Sequence, residues 1–162
     1  MREENKNNFK PDRKRDNKDK YAPLDMTCLS LGYYSDVEKQ KLKESLTGKE
    51  AERLGRTLAN LEPELTTTQL RKFFNEVRSL EERMKEDYFQ KALIEMLKSK
   101  AAYAVSKESS KVPEEFKDFI FACVDKINDE KDFYGFVKFF ESIVGYFYYF
   151  KEENKSKKEG SN

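Results

Sequence analysis

Between Phe133 and Phe147, seven large apolar residues (Phe133, Phe136, Val137, Phe140, Ile143, Val144 and Phe147) recur at helical spacing in a stretch free of proline. Such a stripe specifies an amphipathic helix, about Lys131 to Phe150, and side chains of that size need a partner surface to match. Its end is more demanding still, because Tyr146, Phe147, Tyr148, Tyr149 and Phe150 are consecutive. A helix points five consecutive residues in every direction, so some of these rings belong to the core and others meet solvent or another chain. The chain is only 37% hydrophobic yet 14% aromatic, so its core must be made of few, large side chains.

Other segments repeat the helical pattern. Thr66 and Gln69 stand in capping-box spacing at the head of a helix from Thr67 to about Lys85, with Leu70, Phe73, Phe74, Val77 and Leu80 recurring along it. Ser35 and Glu38 give a second capping box, opening a helix to about Leu46. Gly48 interrupts, and a further helix runs from Lys49 to Leu61 before Pro63. After a break near Glu86–Asp87, a longer helix reaches Lys107 with Phe89, Leu93, Met96, Leu97 and Ala104 inward. Ser109–Lys111 reads as a loop, Pro113 as the first-turn residue of a helix striped by Phe116, Phe119, Ile120, Cys123, Val124 and Ile127, and Asn128–Glu130 as a turn. No strand pattern competes. The sequence predicts an all-α fold, a compact bundle of five to six helices over residues 24–150. Disordered charged tails flank it, an arm over 1–23 and a solvated tail over 151–162.

Several function classes are disfavoured. Net charge is +1, with the excess at the ends: residues 1–20 carry +3, residues 151–162 carry +1, and residues 21–150 carry −3. Any anion-binding surface is therefore local. There is no histidine, no Gly-rich phosphate cradle and no base for Ser106, Ser109 or Ser110. The acidic cluster Asp125, Asn128, Asp129, Glu130 and Asp132 lacks the glycine and closing glutamate of a calcium loop and reads as a solvated turn. Cys28 and Cys123, without CxxC spacing, read as two free thiols and not as a disulfide or metal site. The apolar run Ile143–Phe150 is too short to span a bilayer, which suggests a cytoplasmic protein with no membrane partner. The expectation is of no enzyme and no cofactor.

The cations are more informative. Five of eight arginines, Arg53, Arg56, Arg71, Arg78 and Arg83, fall between 53 and 83 and none follows, whereas 16 of 22 aromatics lie after residue 84. Arg71, with Lys72 beside it, lies two turns before Arg78 on one flank of the Thr67 helix, and Arg53 and Arg56 are i,i+3 neighbours. Such a set can meet phosphates. It can equally pair with Glu50, Glu52, Glu76, Glu81 and Glu82, all at usable spacings. The residue pattern leaves both readings open.

A family resemblance joins these segments. Leu65–Phe74 with Val77, then Met96–Ala104, then Phe136–Tyr146 resemble, in that order, three characteristic stretches of the small helical subunit of type III-A CRISPR interference (Csm) complexes. The resemblance covers roughly residues 35–150. It implies a non-catalytic subunit of an antiviral ribonucleoprotein, stacked in an inner filament beside the backbone and large subunits. Guide RNA and target RNA would be its partners, contacted at their backbone without sequence specificity. Arg71, Lys72, Lys98 and Lys100 fall within the matching stretches, while Arg53, Arg56 and Arg78 are added from charge spacing. Tyr103 is expected to pack and not to stack, and Lys107 is not carried over. Association of isolated copies as a homodimer also fits the resemblance. The competing reading is a purely structural, self-associating helical scaffold with no RNA contact.

Overall fold

A computed structural model describes residues 22–107 and 112–160. The expected arm over 1–23, apart from its last two residues, and the loop at Ser109–Lys111 lie outside the described residues. Among the described residues six α-helices follow one another: α1 (Glu44–Thr47), α2 (Lys49–Ala59), α3 (Thr67–Glu86), α4 (Lys91–Ser106), α5 (Glu114–Val124) and α6 (Glu130–Glu159). A 3-10 turn, Thr27–Leu29, precedes them. The all-α bundle expected from the sequence is the observed fold.

The Phe133–Phe147 stripe makes α6 the axis of the molecule. It packs most extensively on α2, then on α3 and α1, while α4 and α5 pair with each other and α4 only grazes α3. Two kinds of seam hold α6. Against α2 the backbones nearly touch: a Cβ on Gly55 would stand 2.6 Å from the Tyr146 Cβ and 3.0 Å from the Phe147 nitrogen. Ala51 and Ala59, one turn to either side, are buried along the same crossing. Against α5 and α3 the spacers are rings. Phe119 meets Phe140 at 5.3 Å between centroids, Phe74 meets Phe140 at 5.3 Å, and Phe73 meets Phe116 edge-to-face at 5.2 Å. The scarcity of apolar residues is thus offset by their size.

Residues 35–43 depart from expectation, for they form no helix. The Asp36 carboxylate accepts from the backbone N–H groups of Gln40 and Lys41, the Ser35 hydroxyl donates to the Lys41 carbonyl, and Tyr34 bridges Leu42 antiparallel. These local bonds offer the backbone an alternative to a helix, which starts only at Glu44. Lys39 takes a left-handed φ of 54° in this loop, uncommon for a residue with a Cβ. Its ammonium reaches Asp132 at 2.7 Å and Asp129 beside it, pinning the loop to the start of α6. The acidic cluster is therefore more than a solvated turn. Asp129 caps α6 by accepting from the Asp132 N–H, and Asp132 is buried.

Three smaller differences concern the helices themselves. Pro113 sits at the N-cap of α5, one position before the first turn. Met96, expected inward, is 52% exposed, and Ile94, Leu97 and Ala101 supply the buried face of α4. The solvated tail expected after Phe150 begins later, because α6 continues to Glu159. Lys151 is buried against Glu64 at 2.7 Å, and Lys155–Glu152 and Lys157–Glu153 pairs support the exposed last turns. Cys28 and Cys123 are both free thiols, and Cys123 is buried.

Candidate nucleic-acid interface

α3 is fixed before its cations are placed. The capping box forms as its spacing implies: the Gln69 N–H donates to the Thr66 hydroxyl (3.1 Å) and the Thr66 N–H to the Gln69 side chain (2.9 Å). Leu70, Phe73, Val77 and Met84 then bury one face. Arg71 and Lys72 follow Leu70 one and two residues on, about 100° and 200° around the axis, and both are exposed.

The two neighbours therefore serve different grooves. Arg71 turns toward α6, where its Nε donates to the Tyr148 hydroxyl at 3.0 Å and its guanidinium lies 5.5 Å from the Tyr148 ring centroid. The same hydroxyl donates onward to the Thr67 carbonyl. A neutral phenol orients the guanidinium without cancelling its charge. Lys72 turns toward α4, into a groove of about 440 Å³ shared with Lys100, Tyr103 and Lys107. Neither Arg71 nor Lys72 has an acidic partner among the described residues.

The other five candidates all have one. Arg53 pairs with Glu50 at 2.9 Å and also donates to the Asp25 carbonyl. Arg56 pairs with Glu52 at 3.4 Å and lies 4.0 Å over the Phe150 ring. Arg78 pairs with Glu81, which is almost buried. Lys98 holds Asp125 and, at 3.0 Å, Glu95; the Asp125 hydrogen bond, against the cost of partial burial, keeps its ammonium above the ordinary lysine range. Lys100 pairs with Glu76 across the α3–α4 groove. The structure thus joins Lys72 and Lys100 at one site, sets Arg71 on the opposite flank, and keeps Arg53, Arg56, Arg78 and Lys98 in separate ion pairs.

Tyr103 and Lys107 line the same groove as Lys72 and Lys100. Tyr103 does not pack: it is 61% exposed, with the Lys107 ammonium 5.0 Å from its ring centroid. The signal was present in the spacing, since 100, 103, 104 and 107 share one face of α4, just as 69, 72, 73 and 76 share one face of α3. What the sequence lacked was the antiparallel return that sets these faces opposite each other. Among the described residues, no helix is long and apolar enough to cross a membrane.

Comparison with curated proteins gives no match, and none is found among solved structures. A family model, Csm2 Type III-A, matches residues 41–153, a span running from the end of the Lys39 loop through the buried part of α6. The chain therefore belongs to the Csm2 Type III-A family, the small structural subunit of type III-A CRISPR effector complexes.

Proposed function

We propose that this chain contacts the backbone of guide or target RNA, without reading sequence, through the exposed cations at the start of α3 and the facing edge of α4. In this role it is a non-catalytic, cytoplasmic subunit stacked against its neighbours in the filament. The observation that carries the reading is the contrast among the seven candidate cations. Arg71 and Lys72 lack a carboxylate partner among the described residues, whereas Arg53, Arg56, Arg78, Lys98 and Lys100 are ion-paired. A cation already neutralised by a carboxylate must exchange partners to meet a phosphate; an uncompensated one needs only to shed water and salt. Phosphate contact suits a subunit of a complex in which base pairing reads the sequence.

Salt dependence of binding to single-stranded RNA of unrelated sequences tests this. If about four phosphates are met, log affinity falls against log salt with a slope near −3, from about 0.7 per contact. The double variant Arg71→Ala, Lys72→Ala flattens the slope by about 1.4 and leaves the thermal midpoint close to that of the parent, since both side chains are exposed. Loss of stability with an unchanged slope would assign the pair to structure instead. Absence of RNA binding even at low salt would favour the structural scaffold, whose signature is a change of oligomeric mass on Tyr149→Ala.

A further inference from the structure

The α3–α4 groove holds more than a phosphate contact requires. Its floor is apolar, formed by the edge-to-face pair Phe73 and Phe116. On its rim stand three lysines, Lys72, Lys100 and Lys107, against one carboxylate, Glu76. Among them Tyr103 presents an aromatic ring that is mostly solvent-exposed. Its volume of about 440 Å³ lies within the range of small-ligand pockets, about 300 to 1,000 Å³.

A groove that binds only duplex backbone has no use for an exposed ring or an apolar floor, because phosphates need cations alone. Cations beside an exposed aromatic are instead what single-strand binders use: the ring stacks a base, and the cations hold the phosphates on either side. Lys107 lies over Tyr103 at 5.0 Å, which keeps a positive charge next to the ring without burying it. Glu76 pairs with Lys100 at the groove's edge, so Lys100 meets a phosphate by exchanging that partner, whereas Lys72 and Lys107 have no carboxylate partner among the described residues.

We infer that the α3–α4 groove seats one unstacked nucleotide of an RNA strand, its base on Tyr103 and its flanking phosphates on Lys72, Lys100 and Lys107. This rests on the RNA-contact reading above and adds to it a distinction that reading does not make: a strand with a free base is held more tightly here than a fully paired duplex.

The test uses the full chain and a short oligouridine strand carrying a single 2-aminopurine, alone or fully paired with its complement. Stacking on Tyr103 quenches 2-aminopurine emission when the single strand binds. Tyr103→Ala abolishes the quench and weakens single-strand binding about tenfold, in line with the usual worth of one base–aromatic stack, and leaves duplex affinity unchanged. Tyr103→Phe retains both the quench and the affinity. Arg71→Ala weakens single strand and duplex together and leaves the quench intact at saturation. If Tyr103→Ala leaves the quench in place, or weakens both RNAs alike, the nucleotide seat is wrong while phosphate contact stands. If the parent protein binds neither RNA at low salt, the RNA-contact reading fails and this inference falls with it.

Discussion

Lys39 shows how much one side chain can decide. Its ammonium spans the carboxylates of Asp129 and Asp132, and Asp132 also accepts from the Asn128 N–H at 3.0 Å. Partial burial would raise the Asp129 carboxyl, but the Lys39 ammonium and the Asp132 N–H overcome that and hold it below the ordinary carboxylate range. The folded carboxylate thus binds its proton more weakly than the unfolded one. Its contribution to stability is complete above the unfolded value and lost as pH falls through the lower folded value. Thermal midpoints measured from neutral pH downward should therefore decline in the acid range, and Asp129→Asn should flatten that decline; an identical slope in the variant would remove Asp129 as a cause. Asp132→Asn removes the buried charge beside Lys39 and leaves Asp129 as its partner, so it should cost about 1.5 to 3 kcal/mol by chemical denaturation, the scale for a hydrogen bond to a charged group. None of this could be read from sequence. Ser35 and Glu38 stand in capping spacing, but nothing in that spacing reveals that the Asp36 carboxylate takes the Gln40 and Lys41 N–H groups first.

At the scale of the helix, two glycines make opposite predictions. Gly55→Ala drives a methyl into Tyr146 and the Phe147 backbone and should destabilise by about 1 to 3 kcal/mol, the usual penalty for overpacking. Gly145, an exposed residue inside α6, has nothing within 4 Å of its Cβ position. Gly145→Ala should therefore stabilise by about 0.5 to 1 kcal/mol through helix propensity alone. Equal shifts of the two midpoints would contradict the observed crossing. Thr66→Ala removes an N-cap acceptor and should lower stability by about 1 kcal/mol. The helices were legible wherever a long apolar stripe was present, as in α3, α5 and the buried part of α6, and in α3 the capping box agreed with it. They were misjudged where a signal lay off the stripe. Met96 follows Leu93 by three residues, yet Ile94, Leu97 and Ala101 define the face that α4 turns inward. Past Phe150 the apolar pattern ends, but Glu152–Lys155 and Glu153–Lys157 pairs carry the helix on.

For the molecule as a whole, the division seen in the composition persists in three dimensions. The aromatic second half builds the core around α6, and the arginine-bearing α2 and α3 clothe it. Stability should accordingly be graded along α6. Amides from Phe136 to Phe147 should exchange only with global unfolding, whereas those from Lys155 to Glu159, in exposed turns, should exchange by local fraying; uniform protection along the helix would mean that its end is covered. Which residues form the core was legible from periodicity. Which cations stay uncompensated was not, since Arg78 with Glu81 and Arg71 with Tyr148 differ only in what the fold brings beside them.

The α2–α6 crossing separates position from contact. Where two backbones touch through a residue with no side chain, the distance between the helices is set by the main chain, and an added methyl forces α2 and α6 to shift against each other. Arg53 and Arg56 ride on that helix, one held by the Asp25 carbonyl and the other lying over Phe150. Gly55→Ala would thus displace both arginines together, although glycine carries neither charge nor hydrogen-bonding side chain. No smaller side chain at Tyr146 would undo that shift, because the Phe147 nitrogen and the Ile143 carbonyl, both main chain, would still meet the methyl.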